Sequence, residues 1–241
     1  MNIREKIQEL REEINQHNYN YYILDQPSIS DYDFDQLLKE LTDLEKKHPE
    51  YFDANSPTQR VGGGVTKNFP TISHEFRMYS LDNSYSIEDL QDWENRIEKT
   101  LGLPADGPGE KVEFVCELKY DGASISIEYE NGNLKQAVTR GDGFQGDEVT
   151  ANIRTIGSIP LTLKGNYPEK FYVRGEIILP HKEFNRINEE REKLGLELYA
   201  NPRNTASGSL KLQDSAEVYK RRLDCYLYTI VGNYLPFDSQ W

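Results

Sequence analysis

The sequence predicts an α+β protein built on largely antiparallel sheet and preceded by a small helical hairpin. Three observations carry that expectation. Short runs of alternating apolar and polar residues recur along the chain, the period of a strand with unlike faces. Two of these runs meet at Asn131-Gly132, the strongest short-range hairpin signal present. Helical periodicity occurs in separate stretches, the first two consecutive, and it interleaves irregularly with the strands.

In chain order, Ile3, Ile7, Leu10 and Ile14 share one helical face, so a first helix is expected to run to about His17. His17-Asn18-Tyr19-Asn20-Tyr21-Tyr22 then places three tyrosines in four positions. They either pack against the next helix or stack a flat ring. Ser30 reads as an N-cap with Asp33 as a short capping-box partner. Phe34, Leu37, Leu38, Leu41 and Leu44 continue an amphipathic helix that Lys46, Lys47, His48 and Pro49 end. Asp31, Asp33 and Asp35 crowd its first turn, where the helix dipole favours acids in any case.

Residues 53–74 are turn-rich, and Gly62-Gly63-Gly64 lacks phosphate-loop spacing, so a flexible connection is expected. Ser86 should cap a third helix with Ile87, Leu90, Trp93, Ile97 and Leu101 on its buried side. Val112, Phe114, Cys116 and Leu118 alternate with Glu113, Val115, Glu117 and Lys119. This predicts a strand with Glu117 and Lys119 on one side, followed by a turn at Asp121-Gly122. A lysine among acids at a strand end is ordinarily an ion pair. Ser124–Tyr129 and Leu134–Arg140 form the predicted hairpin, and Arg140-Gly141-Asp142-Gly143 a sharp turn. A short helix is expected over 150–156. Phe171–Leu179 is a strand with Arg174, Glu176 and Ile178 on one face. His181–Leu194 is a helix with Phe184, Ile187 and Leu194 inward. The small, polar run Ala200–Leu210 suits close backbone packing or a binding loop, and Leu223–Val231 is the last strand.

Composition narrows the function classes. The 241 residues are 37% hydrophobic, enough for a core, and carry a formal net charge of −13. That charge argues against tight nucleic-acid binding by this chain alone, since phosphate contacts need clustered Lys and Arg. Cys116 and Cys225 fall at alternating positions and are expected as buried free thiols. No Cys-x-x-Cys or His cluster suggests zinc. No signal peptide and no apolar run near ~20 residues is present, so a soluble cytoplasmic protein with no membrane partner is expected.

Glu117-Leu118-Lys119-Tyr120-Asp121-Gly122 resembles the Lys-x-Asp-Gly motif of DNA ligases, RNA ligases and capping enzymes. Five further stretches resemble the bacterial NAD-dependent DNA ligases: Ser56-Pro57-Thr58-Gln59-Arg60-Val61-Gly62, Ser80-Leu81-Asp82-Asn83, Thr139-Arg140-Gly141-Asp142-Gly143, Val173-Arg174-Gly175-Glu176 and Ala200-Asn201-Pro202-Arg203-Asn204. Each is weak alone; the ordered set spans nearly the whole chain. The resemblance implies a helical NMN-binding module over residues 1–70 and a nucleotidyltransferase core, ATP-grasp-like, over 71–241. Phe34 stands where the family commonly has Tyr, and Tyr22 where some members have His. The chain ends before the family's later motifs, including a second functional Lys, and before its OB-fold, zinc, helix-hairpin-helix and BRCT regions. An N-terminal piece unable to seal nicks by itself is therefore expected.

The reaction implied by the resemblance is attack of the Lys119 amine on the α-phosphate of the adenylate half of NAD, with departure of nicotinamide mononucleotide. A free Lys has a pKa of ~10.4, so about one in 10³ or fewer is neutral at pH 7. Burial, a nearby cation or bound Mg²⁺ must help it. Asp121 would hold the amine or approach the metal. Glu117 is implied as an adenine contact, Arg140 and Glu176 as nucleotide contacts, and Ser80 and Leu81 as the adenosine lining. Tyr21, Tyr22, Asp31, Tyr32, Asp33, Phe34 and Asp35 would hold the nicotinamide end, whose cationic ring suits aromatic faces and carboxylates. NAD and Mg²⁺ are the implied cofactors, with no metal held by the protein itself. Nicked DNA is implied as a substrate of the full-length enzyme only, and a monomer is expected. Two alternatives stay open. One is a nucleotidyltransferase using ATP or GTP, against which the helical pair argues. The other is a non-catalytic NAD-binding module.

Overall fold

Helix α1 (Ile3–Tyr22) and helix α2 (Asp31–Lys47) pair through the apolar faces their periodicity predicts. Ile7, Leu10, Ile14 and Leu41 are buried together, with Phe34, Leu37, Leu38, Leu44 and Tyr51 packed around them. Helix α1 runs past the expected end at His17. Its last turn is held by polar contacts that carry no apolar signature: Gln16 donates to Asn20 at 2.7 Å, and Asn20 donates to Ser28 Oγ at 3.0 Å. The predicted cap of α2 forms, Asp33 N–H donating to Ser30 Oγ at 3.2 Å. Two 3₁₀ turns follow, Pro49–Tyr51 and Pro57–Arg60. Within the stretch read as a flexible connection, residues 53–60 are ordered, with Ser56, Pro57 and Arg60 buried.

The structure, a computed structural model, describes residues 2–22, 24, 26–60, 68–103 and 112–237. The expected Gly62-Gly63-Gly64 linker lies outside them. The chain divides into two units, Met1–Arg77 with Tyr120–Trp241, and Met78–Lys119.

In the larger unit, β1 (Thr71–Ser73) also falls inside the stretch read as connection. The next strands are β2 (Ala123–Glu130), β3 (Asn133–Thr139) and β4 (Gln145–Asp147). After them come α4 (Thr150–Ile153), β5 (Lys170–Ile178), α5 (His181–Lys193), α6 (Pro202–Leu210), α7 (Ser215–Arg221) and β6 (Asp224–Val231). The main sheet has the order β3-β2-β5-β6 and is antiparallel throughout; β1 pairs with β4. The predicted β2–β3 hairpin turns at Asn131-Gly132, both with positive φ of 50° and 75°. Ile125, Ile127 and Tyr129 of β2 face the core with Leu134, Ala137, Phe171 and Ile177. Tyr129 stacks on Phe171 at 5.6 Å and donates to the Pro160 carbonyl at 2.7 Å, so the buried hydroxyl is satisfied.

Helices α5, α6 and α7 cover this core face through Ile187, Ala206, Leu210 and Val218. Of the two readings of the Ala200–Leu210 run, close packing holds rather than the loop: Pro202–Leu210 is a helix. Asn201 caps it by accepting from Asn204 N–H at 2.8 Å, and Pro202 opens it. Its small residues Thr205, Ala206 and Ser209 are buried, which lets the helix lie close to the sheet. The short helix α4 stops at Ile153 rather than Ile156. Leu194, expected inward, is exposed because α5 ends at Lys193 and Gly195 turns the chain with φ +66°.

The smaller unit holds α3 (Ile87–Leu101), capped by Ser86 as predicted and closed by Gly102 at φ 70°. Its apolar side is not buried: Ile87, Leu90, Trp93 and Leu101 are exposed, and Trp93 meets only Phe114 among ring contacts described, at 5.0 Å. Residues 112–119 are irregular, not the strand that their alternation predicts, and β2 takes β3 and β5 as its partners instead. Alternation marks a capacity for sheet; without a ladder partner it does not sort side chains into buried and exposed. Cys116 is accordingly exposed, against expectation, while Cys225 is half-buried.

Candidate active site

Strand register sets the geometry of the site. Ile125 pairs with Thr139 and with Gly175, so one step on Ser124 lies opposite Glu176 on one side. On the other side Arg140 continues the β3 register, its N–H donating to the Ser124 carbonyl at 3.1 Å. Tyr226 of β6 lies opposite Glu176. Arg140, Ser124, Glu176 and Tyr226 thus form one row across four strands, on the face turned away from the core. Two strand spacings put Arg140 and Glu176 about 10 Å apart. Sequence reasoning named Arg140 and Glu176; it missed Tyr226, which only the cross-strand register reveals.

Glycines keep this row intact. A Cβ on Gly175 would lie 2.0 Å from the Tyr226 carbonyl oxygen, and one on Gly122 would lie 2.3 Å from that of Ile177. Gly122 is therefore needed for close backbone approach rather than for unusual dihedrals. Beyond β3 the predicted sharp turn forms: Gly141 and Gly143 have positive φ, and Asp142 Oδ1 accepts from the Phe144 and Gln145 amides at 2.9 Å each. Those amides hold the Asp142 carboxyl below the usual range.

A strap covers the rest of this face. Glu75 takes Lys170 at 2.7 Å and the Tyr172 hydroxyl at 2.8 Å, and Arg174 donates to the carbonyls of Phe76 and Arg77. Lys170 and Tyr172 hold the Glu75 carboxyl low, and burial pushes the Tyr172 phenol up to about 12. His74 joins through Nε2, 3.2 Å from the Arg140 carbonyl. Beneath the strap is a cleft of about 260 Å³ lined by His74, Phe76, Ser126, Gln136, Tyr172 and Arg174 among others. It lies next to the Arg140–Glu176 row.

Tyr120 and Asp121 open the return of the chain to this unit. The Tyr120 ring stacks on Tyr226 at 4.1 Å and 15°. Asp121 pairs with Arg203 in the first turn of α6 at 3.2 Å, both side chains well exposed. Arg203 is a second residue that the sequence reading quoted without a role. Lys119 and Glu117 lie in the irregular 112–119 run of the smaller unit, both exposed, as are Ser80 and Leu81. Lys119 stands two residues before Asp121 in the chain.

At the loop end of the helical pair, Tyr21, Tyr32, Asp33 and Asp35 are exposed. Asp33 accepts from the Ser30 hydroxyl at 2.7 Å, so it also serves the cap. Phe34 is half-buried against the helical core. The side chains of Tyr22 and Asp31 lie outside the described residues. Among the described residues no group of three or more His, Cys, Asp or Glu is placed to hold a metal, and no helix is long and apolar enough to cross a membrane.

A helical module ahead of an antiparallel α+β sheet unit, with a polar row on its open face, defines the nucleotidyltransferase class with an N-terminal helical module. Residues 66–241 match the NAD-dependent DNA ligase adenylation domain, and residues 1–62 match the DNA ligase-like, N-terminal NAD⁺-binding domain. The chain belongs to the NAD-dependent DNA ligase adenylation-domain family. It is similar to proteins named DNA ligase from Flavobacterium johnsoniae (68% identical over 241 residues), Christiangramia forsetii (62% over 241) and Bacteroides fragilis (53% over 242). All of this chain is covered in each case, and 35% of the relative. The chain thus spans about a third of the length of these curated relatives.

Proposed function

We propose that this chain is the adenylation part of a NAD-dependent DNA ligase acting in replication and repair. Residues 1–70 would serve as the nicotinamide-side module and residues 71–241 as the nucleotidyltransferase core. The observation that carries the reading is the row Arg140–Ser124–Glu176–Tyr226 on an open sheet face, in a chain whose two parts match the two family domains. The row offers a cation, a hydroxyl, a carboxylate and an aromatic face, the groups that a phosphorylated ribose and a purine need.

Lys119 would attack the α-phosphorus as the neutral amine. A nitrogen–phosphorus bond forms, the bond to the nicotinamide mononucleotide phosphate breaks, and the amine proton passes to solvent or a nearby base. Lysyl-AMP and nicotinamide mononucleotide result. Glu176 and Arg140 would hold the ribose and phosphate, Glu117 the adenine edge, and Ser80 and Leu81 the adenosine. The stacked pair Tyr226–Tyr120 would flank the nucleotide with its outer faces. Tyr21, Tyr22, Asp31, Tyr32, Asp33, Phe34 and Asp35 would grip the nicotinamide end.

Mg²⁺, when bound, would neutralise charge on the phosphates. It commonly leans on phosphates, waters and one or two carboxylates, so a dedicated protein cage is not required. Asp121 would be the carboxylate to approach it, and its exposed pair with Arg203 is weak enough to exchange. Sealing of nicked DNA belongs to this proposal at the level of the full-length enzyme.

Intact mass after incubation with NAD and Mg²⁺, and separately with ATP and Mg²⁺, tests the reading. One adenylate gained from NAD and none from ATP supports it. Equal gain from both donors would return the chain to a general nucleotidyltransferase, and no gain from either would leave a non-catalytic NAD-binding module.

A further inference from the structure

Two arginines cross between the helical pair and the sheet unit in opposite directions. Arg60, buried in the Pro57–Arg60 turn, donates to the carbonyls of Ile156 and Ile159 at 2.8 Å each and of Arg154 at 3.3 Å. Arg154 returns the contact. It donates to Asn55 Oδ1 at 2.7 Å and to the Ala54 carbonyl, and also to the Leu134 carbonyl of β3 at 3.1 Å. Each guanidinium spans several acceptors, a geometry that a single ammonium cannot reproduce.

The segment between Tyr51 and Arg60 is tied equally firmly to the helices. Arg11 of α1 donates to Glu45 of α2 from Nε at 2.8 Å and Nη2 at 2.6 Å, and to the Tyr51 carbonyl at 2.7 Å. Thr58 donates to the other oxygen of Glu45. A continuous polar chain therefore runs from both helices through 51–60 into the stretch after α4. Lys164 also reaches helix α1 from the sheet unit, against Gln16 and the Tyr19 ring, in a contact that is exposed and correspondingly weak.

Leverage gives this seam a consequence. Arg11 and Glu45 lie about 15 Å along their helices from Tyr21 and Asp35, at a 1.5 Å rise per residue. A tilt of about 4° at the seam moves the loop end by about 1 Å, enough to break a charge-assisted contact to the nicotinamide end, whose loss costs about tenfold or more in binding. We propose that Arg60 and Arg154 are positioning residues for NAD. They act through the helices, setting where the nicotinamide-gripping end stands. The proposal rests on the reading of this chain as adenylated from NAD.

The test uses the full-length enzyme with Arg60→Lys and, separately, Arg154→Gln. The KM for NAD in lysyl-AMP formation should rise about tenfold in each while kcat stays within about twofold, as expected for a weakened contact to the bound nicotinamide end. Sealing of a nick that already carries a 5′-adenylate, which uses no nicotinamide, should keep the parent rate. A merely structural role would lower Tm and leave the KM for NAD alone. Should Arg60→Lys not fold, Arg154→Gln and Asn55→Ala, which removes only the side-chain acceptor of Arg154, carry the test. Unchanged KM for NAD in the folded variants, or an equal fall in adenylation and in sealing of the pre-adenylated nick, overturns the proposal alone. A parent that forms no lysyl-AMP from NAD overturns the functional reading and this proposal with it.

Discussion

Cys116 and Cys225 stand at equivalent places in their sequence patterns, and the structure separates them. Cys225 sits on β6 opposite Ile177, 3.6 Å from Ser158 Oγ, and burial pushes its thiol up to about 11. Cys116 is exposed in the irregular 112–119 run. A thiol reagent at pH 8 should therefore label Cys116 quickly and Cys225 slowly in the native protein, with both labelled alike in denaturant; peptide mapping reads the difference. The raised pKa also has a stability consequence. The folded state holds the Cys225 proton more tightly than the unfolded state, whose thiol titrates near 9. The contribution of the neutral thiol is complete below pH 9 and is lost as pH rises toward 11. Relative to Cys225→Ala, the parent should lose about 2 kcal/mol between those limits in urea titrations.

Elements succeed or fail here according to whether a partner exists. The β2–β3 hairpin, β5 and β6 follow their sequence patterns because each has a ladder neighbour. Residues 112–119 have the same alternation and remain irregular; α3 has a clear apolar stripe and leaves it exposed. Periodicity records what a segment could bury, and only the tertiary arrangement decides what it does bury. Local signals were more legible. Ser30, Ser86 and the Asn131-Gly132 turn all do what their residue types dictate. The role of Asn201 was hidden because the small residues after it suggest a loop as readily as a closely packed helix. Two substitutions test this level. Ser30→Ala should cost about 1 kcal/mol of helical-pair stability by circular dichroism, the loss of one cap. Gly175→Ala should cost about 1–3 kcal/mol, because its Cβ meets the Tyr226 carbonyl and the Leu227 backbone, which cannot move aside cheaply. It should also weaken nucleotide binding, since Glu176 and Tyr226 would move with the β5–β6 ladder, whose register shifts between Arg174 and Gly175.

At the scale of the whole molecule, the ordered motifs made the family legible, and the family matches cover residues 1–62 and 66–241. The cross-strand row was only half legible: Arg140 and Glu176 lie in motifs, whereas Tyr226 and Arg203 enter through register and through an ion pair. The proposed division of labour, with the helices on the nicotinamide end and the sheet on the adenylate, yields a cofactor prediction. Asp35 is exposed at the loop end of the helical pair, and ATP has no nicotinamide for that end to grip. Asp35→Ala should lower NAD-dependent adenylation by roughly tenfold to a hundredfold, about 1.5–3 kcal/mol for one charge-assisted contact, at unchanged folding. Steady-state rates against NAD concentration, with circular dichroism as control, check it. The central claim is that Lys119 carries the adenylate, and proteolysis of the NAD-treated protein followed by tandem mass spectrometry tests it most directly. The account predicts adenylate on the Lys119 ε-nitrogen of the parent and none anywhere in Lys119→Ala. Adenylate on another residue, or its persistence in Lys119→Ala, would contradict it.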